Sequence, residues 1–339
     1  MGLTAEVIKV WDLNALEKIP ASEIQGKIVF FDKGMDPTKT NTFHAYGAAV
    51  GQRTAGPRSA AEKGAIATLT RSMTLKQDDI PHSGVTVFQD QTPIPALALG
   101  MQSANLLSEL LDSEKGIKIN IQADCEHMGK QKAHNVIAEI KGSTYPNEVI
   151  VVGGHLDSWD IGEGAHDDGA GCVQAMEVLH VFRRMGIRPK RTIRCVLFAN
   201  EENGMFGATT YAAYAKNSKE KHIAAIESDA GGHTPRGFRM DALKEISKSA
   251  FKQAQKWREI LAPYGLYYLD AGGSAADISK LKSQGTVLFG YRPDSQRYFD
   301  YHHAETDVFE NVHKRELELG AAGMAALIYL IDKYGFTFE

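Results

Sequence analysis

From about residue 133 onward, short apolar runs alternate with longer stretches of helical period. The runs over residues 136–140, 149–153, 192–199, 223–228 and 287–290 are dense in Val, Ile, Leu, Ala and Phe. Near-continuous apolar strands are covered on both faces, unlike the alternating strands of a half-exposed sheet. Residues 170–184, 206–216, 240–261 and 315–334 repeat apolar side chains at helical spacing, which predicts helices between and after the strands. Strand followed by helix, several times over, predicts an α/β domain: a mixed, mostly parallel sheet with helices on both faces.

The first third has a different texture. Short strand signals over 27–31, 85–88, 96–99 and 117–121 predict a smaller, β-rich domain. A helix is expected over 60–65, with Gly64 at its C-cap, and a second helical stretch over 104–111. Residues 35–59 are polar and glycine-bearing, which favours a loop. The expected division is 1–125 for the small domain and 126–339 for the larger one.

Composition narrows the function classes. With 38 basic and 42 acidic side chains the net charge is −4, which gives no electrostatic reason to expect nucleic acid as a partner. Apolar residues form 43% of the chain, enough for a packed core, yet no run approaches bilayer-spanning length, so no membrane partner is expected. No basic segment followed by an apolar one opens the chain, so no signal peptide is visible. Cys125, Cys172 and Cys195 form no CxxC pair and read as buried small hydrophobes rather than zinc ligands.

The chemistry lies where the second-half strands end. The strand over 149–153 runs into Gly154-His155-Leu156-Asp157, and His166-Asp167-Asp168-Gly169 opens the next helix. The strand over 192–199 delivers Asn200-Glu201-Glu202, and that over 223–228 delivers Asp229. His302-His303 stand ahead of the last helix. In open α/β sheets, ligands bind at the carboxyl ends of strands. So many acids brought together repel unless a cation neutralises them, and carboxylate with imidazole and no thiolate suits zinc or a similar divalent ion. One of Asp167 and Asp168 is the natural bridge between two ions. A Rossmann cofactor is discounted, because neither Gly162-Glu163-Gly164 nor Gly169-Ala170-Gly171 forms GxGxxG after a first strand.

At these residues the chain resembles the co-catalytic di-zinc exopeptidases of metallopeptidase family twenty-eight. The likeness rests on residues 154–160, on Gly164-Ala165 with Asp167-Asp168-Gly169, on Arg188-Pro189-Lys190-Arg191-Thr192 followed by Glu201-Glu202, and on Glu227-Ser228-Asp229-Ala230-Gly231. It implies the zinc exopeptidase fold and two zinc ions per chain. It implies His155, Asp167, Glu202, Asp229 and His303 as ligands, Glu201 as general base, and Asp157 as the acid that orients His155. His303 is preferred to His302 because the family's last histidine stands four residues before an acid, here Asp307.

The first third is similar to the protease-associated domain that the family inserts near its active site. Relatives carry a leader and a catalytic-domain segment ahead of that insert, so a truncated chain is expected. The likeness also implies a secreted or periplasmic location.

A small peptide, a dipeptide above all, is the implied substrate. Gly272, Gly273 and Ser274 are candidates to line its pocket, and Tyr291, Arg292 and Arg297 lie on the expected approach loop; Trp159 reads as a packing residue. The alternatives are an aminopeptidase on longer peptides, a glutaminyl cyclase-like acyltransferase with one working zinc, and a receptor-like binding protein without metal. A homodimer is one arrangement open to the chain.

Overall fold

The computed structural model describes residues 2–126 and 128–338. The chain divides into two compact units, one of residues 2–131 with Phe299–Glu305, the other of Lys132–Tyr298 with residues 306–338.

The first unit has a five-stranded sheet. Its strands are β1 (Leu3–Val10), β2 (Ile28–Phe31), β3 (Ala67–Arg71), β4 (Ala96–Leu99) and β5 (Lys118–Ile121). They lie in the order β4-β3-β2-β1-β5, with β1 to β4 mutually parallel and β5 antiparallel to β1.

The stretch expected as a loop is largely helical: Thr42–Ala49, Gly51–Thr54 and Gly56–Glu62. Asn41 caps the first of these, its side-chain oxygen accepting from the Phe43 amide at 3.1 Å. Glycine was the misleading signal. A Cβ at Gly56 would stand 2.8 Å from the Phe31 ring, so this glycine is there for close packing on β2. The expected strand at 85–88 is irregular backbone, and Leu3–Val10 is a strand that the apolar runs did not mark.

The second unit holds seven strands: β6 (Val136–Ile140), β7 (Tyr145–His155), β8 (Arg191–Phe198), β9 (Lys221–Glu227), β10 (Pro235–Asp241), β11 (Tyr268–Ala271) and β12 (Val287–Pro293). Their order is β11-β10-β12-β9-β7-β8-β6. The middle four, β12, β9, β7 and β8, are parallel, while β6 and the β10–β11 pair run the other way. This is the mixed, mostly parallel α/β sheet expected from the sequence.

Alternate residues of β7 serve opposite faces. Ile150 and Val152 join a core with the helices Ala170–Arg184, Lys244–Leu261 and Lys314–Tyr334, whereas Val149 and Val151 pack with Phe206–Asn217 and Ile278–Gln284. On Ala170–Arg184 the buried Cys172, Ala175, Val178 and Phe182 trace one helical face. Cys172 and Cys195 are buried as expected, but Cys125 is exposed. Among the described residues no helix is long and apolar enough to cross a membrane.

Two details bear on the site. First, β7 is flanked by β8 on one side and β9 on the other, so the chain reverses its direction of travel across the sheet at β7. Crevices form at the carboxyl ends of strands where that happens. Second, the helix expected from residue 240 begins at Lys244, because residues 235–241 pair between β12 and β11.

Candidate metal centre

Three adjacent parallel strands, β8, β7 and β9, end in Glu201-Glu202, His155 and Asp229. The segment of residues 165–169 is laid over those ends, and glycines make the close approach possible. A Cβ on Gly154 would stand 2.4 Å from Asp168 Oδ2, and one on Gly171 would stand 2.0 Å from the Ser228 carbonyl. No larger residue fits either place.

His155 is 1% exposed and sits at the centre. Its Nδ1 donates to the Asp157 carbonyl at 2.8 Å, which turns Nε2 toward Asp167 Oδ1 at 3.2 Å and Asp229 Oδ1 at 3.5 Å. The expected orienting contact from the Asp157 carboxylate is a longer approach of 3.8 Å. That carboxylate instead accepts from the amides of Glu201 (2.9 Å) and Glu202 (3.1 Å). Asp157 thus orients His155 through its backbone and fixes the turn that carries both glutamates.

The neighbouring acids divide by role. Asp168 accepts from the His155 amide at 2.9 Å and the Gly171 amide at 3.0 Å, so both its oxygens hold backbone. That leaves Asp167 as the bridging candidate of the pair. Asp307 accepts from the amides of His166 (2.7 Å) and Asp167 (3.0 Å) and holds the backbone that presents Asp167. Trp159 donates its indole N–H to Glu202 Oε2 at 2.7 Å, a hydrogen-bonding task beyond the expected packing one.

The electrostatics show what this costs. Burial pushes Glu201 up to about 8, helped by the charge of Asp229. Burial also raises Asp229, against the hydrogen bond and charge of His155, and raises Asp168 well above the carboxylate range. Burial opposes the charged form of His155, but hydrogen bonds to Asp167 and Asp229 outweigh it and hold its pKa well above the usual value. Glu201, Asp229 and Asp168 are driven toward their neutral forms, and His155 toward its cation. A divalent cation would relieve both tendencies.

Ligand atoms of His155, Asp167 and Asp229 lie within 4.8 Å of one another, as do those of His155, Glu201 and Glu202. Nitrogen and oxygen donors without thiolate, buried or half-buried and converging, fit zinc.

Other expected residues fall elsewhere. Tyr291 is 5% exposed and packs in the main core beside Phe238, so it cannot line an approach path. Arg292 is held on the sheet, donating to Asp270 at 3.0 Å with its guanidinium 4.5 Å over the Tyr268 ring. Arg297 is paired with Glu316 at 2.6 Å. Gly272 and Gly273 form an exposed turn at φ of 112° and 66°, followed by a half-buried Ser274. His303 belongs to the segment that packs with the first unit, where its carbonyl accepts from the Ser83 amide at 2.9 Å and its Nδ1 donates to the Ser83 carbonyl at 3.1 Å.

Sequence reasoning passed over Glu227 and Asp277, two acids buried near the strand ends. Glu227 is fully buried and accepts from the amides of Asp277 (3.3 Å) and Ile278 (2.8 Å). The available signal was an acid two residues before Asp229, inside an otherwise apolar strand.

Residues 135–328 match the model of peptidase family M28. Carboxypeptidase Q of Mus musculus is 31% identical over 331 residues, covering 97% of this chain and 68% of that protein. The chain belongs to peptidase family M28.

A solved M28 peptidase precursor from Shewanella amazonensis superposes over the whole chain and 76% of its own length, with a TM-score of 0.91 at 31% identity. The zinc aminopeptidase BSAP of Bacillus subtilis shares the fold at 17% identity, with a TM-score of 0.62 over 97% of this chain and 75% of that one. The M28 match spans every strand end described above, from β6 through most of the last helix.

Proposed function

We propose that this M28 peptidase is a di-zinc exopeptidase that hydrolyses short peptides, dipeptides among them, with Glu201 as general base. His155, Asp167, Glu202 and Asp229 are the ligands supported by convergence at the strand ends. His303 is carried as the fifth by the family likeness and its spacing to Asp307. The observation that carries the reading is Glu201 itself: a half-buried carboxyl at the end of β8, its amide pinned by Asp157, converging with His155 and Glu202 beside the other ligand carboxylates.

When bound, the two ions supply Lewis acidity that polarises the scissile carbonyl and acidifies the attacking water. Glu201 accepts that water's proton as oxygen bonds to the carbonyl carbon. It returns the proton to the amide nitrogen as the C–N bond breaks, so the products are a free acid and a free amine. Asp157 keeps Glu201 in reach by holding its backbone. The Trp159 indole steadies Glu202 through its Oε2.

Glu201→Gln is expected to keep two zinc ions per chain by elemental analysis and to lose about 10²- to 10⁴-fold in kcat/KM on a dipeptide panel. Undiminished turnover at full zinc content would remove Glu201 from the mechanism. A single zinc with cyclisation of amino-terminal glutamine would favour the acyltransferase reading instead. With the proposal go a protease-associated role for the first unit and a secreted or periplasmic location.

A further inference from the structure

The helix Lys244–Leu261 carries a feature that neither the core nor the metal centre uses. Lys244, Lys248, Lys252 and Lys256 recur at every fourth residue, and all are exposed. Side chains four apart on a helix are neighbours, so like charges there repel. Among the described residues none of the four has an acidic partner within 4.0 Å, although Glu245 and Glu259 share the helix. Ile260, 50% exposed, continues the same row by one more step of four.

The row runs into a groove of about 570 Å³. Lys252, Lys256, Trp257 and Ile260 line it from the helix; Tyr334 and Thr337 line it from the end of the last helix and the segment after it. Hydrogen bonds fix its shape. Gln253 Nε2 donates to the Gly335 carbonyl at 2.5 Å, and the Thr337 amide donates back to Gln253 Oε1 at 3.1 Å. The Ser249 hydroxyl donates to the Thr337 carbonyl at 3.1 Å, and Phe336 rests against Trp257 with ring centroids 5.5 Å apart. Lys333 adds a fifth cation, 5.5 Å from the centroid of the Tyr334 ring. The groove is thus preformed, cationic and apolar at one end.

The spacing narrows what answers it. Four residues of helix rise about 6 Å, so the lysines span about 18 Å in a line. Side chains on one face of an extended peptide stand about 6.7 Å apart, which matches one acid to each lysine. A membrane or a nucleic acid presents negative charge over a wide area and would meet the rest of a chain whose net charge is −4. A short acidic segment meets only the row, because charges more than about 10 Å away are screened.

We propose that the lysine row and its groove dock an extended acidic segment of a partner protein, with acids at alternate positions and an apolar side chain at the end that reaches Ile260 and Tyr334. This lies outside the peptidase chemistry, since no groove residue stands at a strand end.

The test uses zinc-loaded full chain and a fluorescent peptide blocked at both ends. It has four glutamates at alternate positions, leucine at each end and serine elsewhere. Anisotropy should show saturable binding, and an isomer with its glutamates consecutive should bind at least about threefold more weakly. Each exposed ion pair is worth at most a few-fold, so Lys252→Gln with Lys256→Gln should weaken binding about tenfold. Lys115→Gln with Lys118→Gln removes the same charge from exposed sites in the first unit and should change binding less than about twofold. Dipeptide turnover should be unchanged in both variants.

No saturable binding by the wild type, equal binding of the two isomers, or equal losses in the two variants would each overturn the proposal. Binding of anionic vesicles or single-stranded DNA in place of the peptide, lost on Lys252→Gln with Lys256→Gln, would overturn it in favour of that partner. Self-association in ultracentrifugation lost in the same variant would give the groove to a second copy and overturn it as well.

Discussion

The two ends of the seven-stranded sheet handle buried charge in opposite ways. Toward the amino-terminal end the buried charges of Arg194 and Asp332 are answered. Arg194 on β8 is 5% exposed and donates to Glu139 (2.7 and 2.9 Å) and Glu220 (2.8 Å twice). Arg191 donates from Nε to Glu148 at 2.7 Å, and Asp332 accepts from the amides of Lys190 and Arg191. At the carboxyl end, His155 stands among Asp167, Asp168, Asp229, Glu201 and Glu202, with Glu227 and Asp277 behind. The same strands carry both. The closed end is what a fold needs; the open end makes sense only with something added from outside.

The largest effect that could break this contrast is at Arg194. Arg194→Met would leave Glu139 and Glu220 facing each other without their cation. Removing one partner of a buried pair costs about 3–5 kcal/mol. Glu139 keeps 34% exposure, so solvent screens part of that, and about 3 kcal/mol is the expected loss in urea unfolding. Zinc affinity should be unchanged. A loss near zero would mean that the closed end is decoration, and the comparison would lose half its content.

The contrast also explains what was legible beforehand. The strands β7 to β9 and β12 were readable because their central residues are buried on both faces and therefore apolar, and β6 by its short apolar run although it is an exposed edge strand. His155, Asp167, Glu201, Glu202 and Asp229 were readable because polar groups at successive strand ends interrupt that pattern. The strands β10 and β11 were not, since residues such as Arg236, Arg239 and Asp270 use the polar flank of the sheet and hide the period. In the first unit, Gly47, Gly51 and Gly56 looked like loop residues in isolation, and only Phe31 against Gly56 shows why a helix passes there. Asp277 was invisible for a different reason: its neighbours in sequence are Ala, Ala and Ile, and its acidic neighbours are assembled only by the fold.

A second, smaller effect sharpens the closed end. His222 opens β9 beside the Arg194 cluster, with Nε2 2.9 Å from the Tyr211 hydroxyl. Burial lowers it to about 4, and the charge of Arg194 lowers it further. A histidine depressed in the folded state takes up its proton more readily when unfolded. Its contribution is therefore full above pH 6.5 and is lost as pH falls toward 4. Between pH 7 and pH 5 the wild type should lose about 2 kcal/mol that His222→Gln does not lose. Unfolding measured at both pH values checks this. Arg194→Met should flatten the same slope, since it removes a charge that keeps His222 neutral. A slope indifferent to both substitutions would show that another group sets the acid limit.

The smallest expected effect tests whether position at a strand's carboxyl end is enough to make a residue functional. Tyr291 has that position on β12, and its sequence context suggested substrate contact. In the fold the ring lies in the core beside Phe238, and a Cβ on Gly320 would come within 2.7 Å of its hydroxyl, so the last helix passes directly over it. The hydroxyl makes one long contact, 3.5 Å to the His233 carbonyl. Tyr291→Phe should therefore cost less than about 1 kcal/mol in unfolding and leave KM unchanged. A KM several times higher at unchanged stability would return Tyr291 to the substrate path. An unchanged KM would instead narrow the open end to β7, β8 and β9, where the acids outnumber their partners. Strand-end position then marks a candidate, and unanswered charge decides it.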